Sequence, residues 1–162
     1  MIIREAYKAD WPILWPMIRD IVRAGDTYAI PVDIDEAEAQ KLWLEEPVKS
    51  YVAVEDGIIL GTYKLNVNLA GPGNHVANCG FMVSPSARGR GLASNMCKHS
   101  EAEALKLGFK AMQYNMVVST NSGAVRLWQK LGYEIVGTLP KAFRHPNQGY
   151  VDAHVMYKWL AN

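Results

Sequence analysis

Apolar residues fall in short runs separated by polar turns, and their spacing predicts strands alternating with amphipathic helices. Residues 2–6 read as a strand. Residues 10–24 read as a helix, with Asp10 as N-cap, Pro12 tolerated in the first turn and Gly25 as the stop. Pro16 lies further in, where its missing N–H is expected to kink or split the helix. Residues 35–45 read as a second helix, opened by the capping-box-like pair Asp35 and Glu38. Residues 51–54 and 58–67 read as a hairpin turning at Glu55-Asp56-Gly57. A strand over 75–83, a helix over 92–107 closed by Gly108, a strand over 110–118 and a helix over 121–131 follow. Strands over 133–139 and 151–159 end the pattern. The order is β-α-α-β-β-β-α-β-α-β-β, an α/β (α+β) pattern. Its strand–helix–strand unit at 76–118 implies one parallel pair inside a mostly antiparallel sheet.

The turn within that unit carries the clearest chemistry. An apolar strand ends at Val83 and runs into Ser84-Pro85-Ser86-Ala87-Arg88-Gly89-Arg90-Gly91-Leu92-Ala93, and a helix follows at once. Unpaired N–H groups at a helix start, together with the positive end of its dipole, form an anion site suited to phosphate. Gly89 and Gly91 have no side chain to block a ligand, Ala93 nearly none, and Arg88 and Arg90 add charge. The turn is built to hold a pyrophosphate. A Walker A loop is excluded, because no Gly-Lys is followed by Ser or Thr. A dinucleotide fingerprint is excluded by the spacing and by the lack of an acidic residue ending the strand at 111–118.

Arg88, Gly91 and Ala93 fill a pattern of Arg or Gln, two residues, Gly, one residue, Gly or Ala, which resembles motif A of the GNAT N-acetyltransferase superfamily. Residues 120–133, Thr-Asn-Ser-Gly-Ala-Val-Arg-Leu-Trp-Gln-Lys-Leu-Gly-Tyr, resemble its motif B at Asn121, Ala124, Leu127, Gly132 and Tyr133. The resemblance covers nearly the whole chain. It implies the GNAT fold, a mixed, mostly antiparallel seven-stranded sheet with a splayed parallel pair, flanked by four helices. It also implies acetyl-CoA as co-substrate. By resemblance Met82, Val83, residues 88–93 including Leu92, Asn115, Asn121, Ala124 and Trp128 hold acetyl-CoA, and the Val83 backbone N–H faces the thioester oxygen.

Composition narrows the setting. With 162 residues, 49% hydrophobic and a net charge of +1, the chain reads as a single domain over residues 1–162. Lys and Arg are spread out, so no nucleic-acid partner is expected. No apolar run is long enough to span a bilayer and no signal peptide is visible, so a cytoplasmic location without a membrane partner is expected. Cys79 and Cys97 are not spaced as a metal or redox pair and are expected to be reduced and internal, with no metal bound.

The proton-transfer groups depart from the family pattern. Many members place a Tyr where this chain has Trp128, whose indole is no usable acid. Tyr133 occupies a position usually packed in the core, and Tyr28, Tyr114 and Tyr150 have no positional support as acids. A thiol with a pKa near ~8.5 leaves as thiolate unaided. Many members carry a Glu on the strand into motif A, but residues 75–83 have no carboxylate. The base is then either His75 or a water held by polar groups, with water preferred.

Asn78, a polar amide among Val76, Ala77, Cys79 and Phe81, reads either as a sheet hydrogen bond or as an acceptor contact with a catalytic role. Asn115 pairs either with pantetheine or with backbone freed by the splay. Asn121 is either an N-cap, in competition with Thr120, or a cofactor contact. The three asparagines together resemble the N-acetyltransferases of proline analogues such as azetidine-2-carboxylate. Tyr28, Arg144, His145 and Tyr150, on loops 24–31 and 143–150, are the expected lining of an acceptor pocket, with Arg144 pairing a carboxylate. The expected function is acetyl transfer to the amine of a small molecule, an amino acid or analogue among the choices. The alternative is a catalytically silent acyl-CoA-binding sensor or partner module. Exposed sheet edges make a homodimer the expected assembly.

Overall fold

Two consecutive left-handed residues, Asp56 at φ 51° and Gly57 at φ 78°, close the hairpin of β2 (Lys49–Glu55) and β3 (Ile58–Val67). A turn of this kind matches the twist of the strands it joins. The computed structural model, which describes residues 1–161, adds β1 (Ile2–Glu5), β4 (Val76–Val83), β5 (Ala111–Val118), β6 (Glu134–His145) and β7 (Gly149–Trp159). The seven strands lie in the order β1-β2-β3-β4-β5-β7-β6. Every pairing is antiparallel except β4 with β5, as the pattern predicts.

Helix α1 (Trp11–Ala24) and α2 (Glu36–Gln40) pack on one face of the sheet, α3 (Leu92–Lys106) and α4 (Ser122–Lys130) on the other. Leu14, Ile18 and Val22 recur every fourth residue, so one stripe of α1 meets Trp43, Val52 and Met82. Each such side chain, fully buried, contributes about 1.5–3 kcal/mol. On the opposite face Met96, Cys97 and Ala104 of α3 press onto Tyr63, Leu65 and Met112. Gly61 of β3 makes this contact close. A Cβ there would lie 3.0 Å from the Met82 carbonyl oxygen and 3.1 Å from both Leu92 and Met96.

Several local expectations change. Asp10 precedes α1 but makes no cap bond to it. Its carboxylate instead accepts from both Arg4 guanidinium nitrogens and from the Tyr7 N–H, each at 2.8 Å, which ties the end of β1 to the start of the helix. Helix α1 runs unbroken through Pro16. Asp35 does cap α2, accepting from the Glu38 N–H at 2.8 Å, but the helix widens over 41–45 into wider turns, with the Glu46 N–H reaching the Lys41 carbonyl. Residues 143–145, read as loop, are strand: Phe143, Arg144 and His145 pair with Val151, Tyr150 and Gly149. Strand β6 carries Pro140 because it is an edge strand, where a missing N–H breaks no inner ladder.

Candidate active site

The parallel pairing of β4 and β5 lasts for three residue pairs and stops at Asn78 opposite Gln113. Both strands continue beyond this point, to Val83 and Val118, so a fork opens between them. Alternation fixes which backbone groups face it. The Ser84 N–H donates to Leu60 and the Asn68 N–H to the Val76 carbonyl, so the even-numbered residues of β4 turn their polar groups to β3. The N–H and C=O groups of Cys79, Phe81 and Val83 therefore face the fork. On the other side, β5 slips register against β7 between Tyr114 and Val117, which bends it away. A cleft of about 1320 Å³ follows the fork from the start of α3 to the underside of α1. Ligand sites commonly occupy about 300–1,000 Å³, so this one has room for a long cofactor arm and an acceptor together.

At one end the chain turns through Pro85–Ala87 into Gly89 and Gly91, both at φ 76°. Gly91 opens α3 and no side chain caps the helix. The first N–H groups of α3 are left without a capping side chain, at the positive pole of the helix. A Cβ built on either glycine meets nothing within 4 Å, so the turn is an open cradle. Arg88, Leu92 and Ala93 line the cleft beside it, as do Asn121 and Ala124 at the start of α4. These features fit the diphosphate of acetyl-CoA. Arg90 does not: its guanidinium pairs with Glu55 at the end of β2, outside the cleft, so its charge is already engaged.

The asparagines separate. Asn78 sits at the crotch of the fork and donates from Nδ2 to the Gln113 carbonyl at 2.9 Å, the sheet bond anticipated for it, while also lining the cleft. Asn115 donates to Asn68 Oδ1 at 2.8 Å and accepts from Gln113 Nε2 at 2.9 Å, forming an amide chain on the rim. Asn121 is the cap, accepting the Ala124 N–H at 3.3 Å, and Thr120 has a buried hydroxyl oxygen without a partner.

The Tyr114 and Tyr133 hydroxyls are engaged in the core, although Tyr114 also borders the cleft. Tyr114 and Tyr133 stack with centroids 4.5 Å apart, and both hydroxyls converge on Cys97 Sγ, at 3.4 and 3.8 Å. Burial pushes both phenols well up and the Cys97 thiol up to about 11. Trp128 packs between Phe81 and Tyr114, centroids 5.1 and 5.2 Å away, and borders the cleft with its ring. Tyr28 does reach the site. Its hydroxyl donates to the Phe81 carbonyl, inside the fork, and burial raises its pKa.

Other expected groups lie away from the cleft. Arg144, His145 and Tyr150 stand on the β6–β7 hairpin, and none of them lines it, because the strands extend where a loop was expected. His75 is exposed, with Nδ1 3.2 Å from the Pro72 carbonyl, and does not line the cleft either. Three charged residues that line the end of the cleft beneath α1 were not singled out from sequence: Asp20 on α1, Asp26 on the following loop and Lys64 on β3. Lys64 had a readable signal. It is a lone charged residue in the otherwise uncharged strand Ile58–Val67.

Residues 3–133 match the acetyltransferase (GNAT) family model. The chain belongs to the GNAT acetyltransferase family. A GCN5-related N-acetyltransferase from Kribbella flavida superposes with a TM-score of 0.93 at 45% identity, covering 98% of this chain and 97% of that one. The N-acetyltransferase aca1 of Schizosaccharomyces pombe is 29% identical over 83% of this chain and 72% of its own length. The L-amino acid N-acetyltransferase AaaT of Escherichia coli is 26% identical over 96% of both chains. The structure of yncA from Salmonella typhimurium, solved with its cofactor acetyl-CoA, shares the fold at a TM-score of 0.84 and 22% identity, over 100% of this chain and 95% of its own.

This acetyltransferase therefore uses acetyl-CoA, which supplies the acetyl group as a thioester. Among the described residues no cluster of three His, Cys, Asp or Glu side chains is placed for a metal, and no helix is long and apolar enough to cross a membrane.

Proposed function

We propose that the chain transfers the acetyl group to the amine of a small molecule, an amino acid or a close analogue. The observation that carries this reading is the loop after α1. Tyr28 bonds to the Phe81 carbonyl in the floor of the fork and pins the loop over the acceptor end. A pinned loop leaves space for a compact amine rather than for an extended peptide. The likeness to AaaT, an L-amino acid N-acetyltransferase, points the same way.

In this reading the amides of the cradle and Arg88 hold the diphosphate, and the Val83 N–H polarises the thioester oxygen as charge develops on it. The amine must lose a proton, and among the described residues neither His nor Glu lines the cleft, while Asp20 and Asp26 do so beneath α1. Water in the cleft relays that proton to bulk solvent, and no side chain is required as acid because a thiolate is a competent leaving group that takes a proton from solvent afterwards. Asn78 contacts the acceptor from the crotch of the fork. The same lack of His and Glu favours the second reading, a silent acyl-CoA-binding module.

Incubation with acetyl-CoA and a panel of amino acids and cyclic imino acids, with free thiol as readout, separates the two. Thiol release with at least one member is expected. Tight acetyl-CoA binding without release from any amine leaves only the silent module. The protein acts as a single domain in the cytoplasm, and its β6 edge, which exposes Val136 and Leu139, supports a homodimer.

A further inference from the structure

Among the described residues Lys64 is the one cation at the end of the cleft beneath α1, and its surroundings are unusual for a lysine. It lies on β3 opposite Gly80 of β4, half-buried on the face covered by α1 and α2. Its stem and head lie over the Trp43 ring, with Nζ 5.2 Å from the ring centroid, and Nζ donates to the Leu42 carbonyl at 3.1 Å. No carboxylate among the described residues comes within ion-pairing distance of it. Burial lowers its pKa, and the nearby Glu46 charge only partly offsets this.

A cation drawn out of water is ordinarily held by an anion, because desolvation costs more than one neutral carbonyl returns. An ammonium also has three donors, and only one is engaged by protein here. Two donors remain beside the cleft, where the Tyr28 and Trp43 rings cover Gly80 and form the neighbouring floor. The opposite charge lines the same cleft from α1 and its loop. Asp20 is paired with Arg19, whereas Asp26 makes no ion pair among the described residues. A ligand with an anionic end and an amine end matches this distribution.

We propose that Lys64 is the anchor for an anionic group on the acceptor, a carboxylate in the case of an amino-acid-like amine, and so determines which amines are used. This rests on the small-molecule reading above. The lysine fixes one end of the acceptor to the β3–β4 floor, and the amine at the other end is directed along β4 toward the fork. Lys64 is then a specificity residue and takes no part in proton transfer. The Trp43 ring confines the stem, so the head keeps its place when the cleft is empty.

The test uses matched acceptors, an L-amino acid and its primary carboxamide, with wild-type protein and Lys64→Met. Methionine keeps the stem over Trp43 and removes the charge. The ratio of kcat/KM for acid over amide is compared between the two proteins, so differences in amine basicity cancel. The ratio is expected to fall about 10- to 100-fold in Lys64→Met, mainly through KM, the size of a lost charge-assisted hydrogen bond. Lys64→Gln should show the same fall and serves if the methionine variant does not fold. An unchanged ratio overturns the anchor. An equal loss of kcat on acid and amide also overturns it, because that is the signature of a base. If wild-type protein acetylates neither member of any pair, the small-molecule reading fails and the anchor with it. Turnover with an unaltered ratio fails the anchor alone.

Discussion

At the scale of single residues, conformation and charge make separable demands. Gly91 sits at φ 76° with nothing near a built Cβ, so a side chain there meets ligand rather than protein. In Gly91→Val the left-handed backbone costs about 1–2 kcal/mol in free and bound protein alike. That cost cancels in the affinity, and what remains is obstruction of the cradle. Acetyl-CoA affinity should fall at least ~10-fold by calorimetry, on top of a lowered Tm without ligand. A lowered Tm with intact affinity would move the diphosphate elsewhere. Asp10 gives the pH counterpart. The Arg4 hydrogen bonds hold its carboxyl below the ordinary value of 3.8, against an opposing effect of burial. A lowered folded pKa means that the unfolded chain binds the proton more readily. Its stabilisation is complete above the unfolded value and is lost as the pH falls through the folded one. Asp10→Asn should cost about 1–3 kcal/mol at neutral pH and flatten the loss of stability below pH ~4 in urea titrations. An acid limb as steep as that of the wild type would show that other carboxylates control it.

At the scale of elements, the parts that were readable from sequence are those whose cause is local. The glycine turn before α3, the Asn121 cap and the Asp56-Gly57 hairpin each lie within a few residues of their effect. Elements set by distant partners were not readable. Strand β6 runs past Leu139 through Pro140 because β7 holds it, and α1 continues through Pro16 because its buried stripe packs on Trp43 and Val52. The close approach of α3 to β3 is a dependency of the same kind. Gly61 touches no ligand, yet a side chain there collides with Leu92 and Met96 in the first turns of α3. Gly61→Val should therefore displace the helix that carries the cradle. Stability should fall by about 1–3 kcal/mol, as in other overpacked cores, and acetyl-CoA affinity should fall with it. If affinity survives while stability drops, the start of α3 tolerates the shift and the cradle is less demanding than its geometry suggests.

For the whole molecule, the two halves of the cleft differ in how far apart their residues lie in the chain. The half proposed for the cofactor comes from two contiguous motifs, which a one-dimensional pattern can show. The half proposed here for the acceptor joins Tyr28 and Asp26 from one loop with Lys64 from β3 and Asn78 from β4, and only the sheet brings them together. Its expected lining on the β6–β7 hairpin was misplaced for that reason. That hairpin ends in the outermost strand of the sheet instead, with Val136 58% and Leu139 42% exposed and no neighbour on its outer side. An unpaired edge with apolar side chains is a ready surface for a second copy, and a two-fold axis would set β6 against β6. The register break between Leu139 and Phe143, with Lys141 at φ 54°, confines regular pairing to the first half of the strand. Light scattering coupled to size exclusion should then report a dimer, and Val136→Lys should make it a monomer by placing a charge in the pairing surface. The cleft lies on the β4–β5 side of the sheet, so acetyl-CoA affinity should not change with it. A monomeric wild type at tens of micromolar, or a dimer that survives the substitution, would show that this edge stays open.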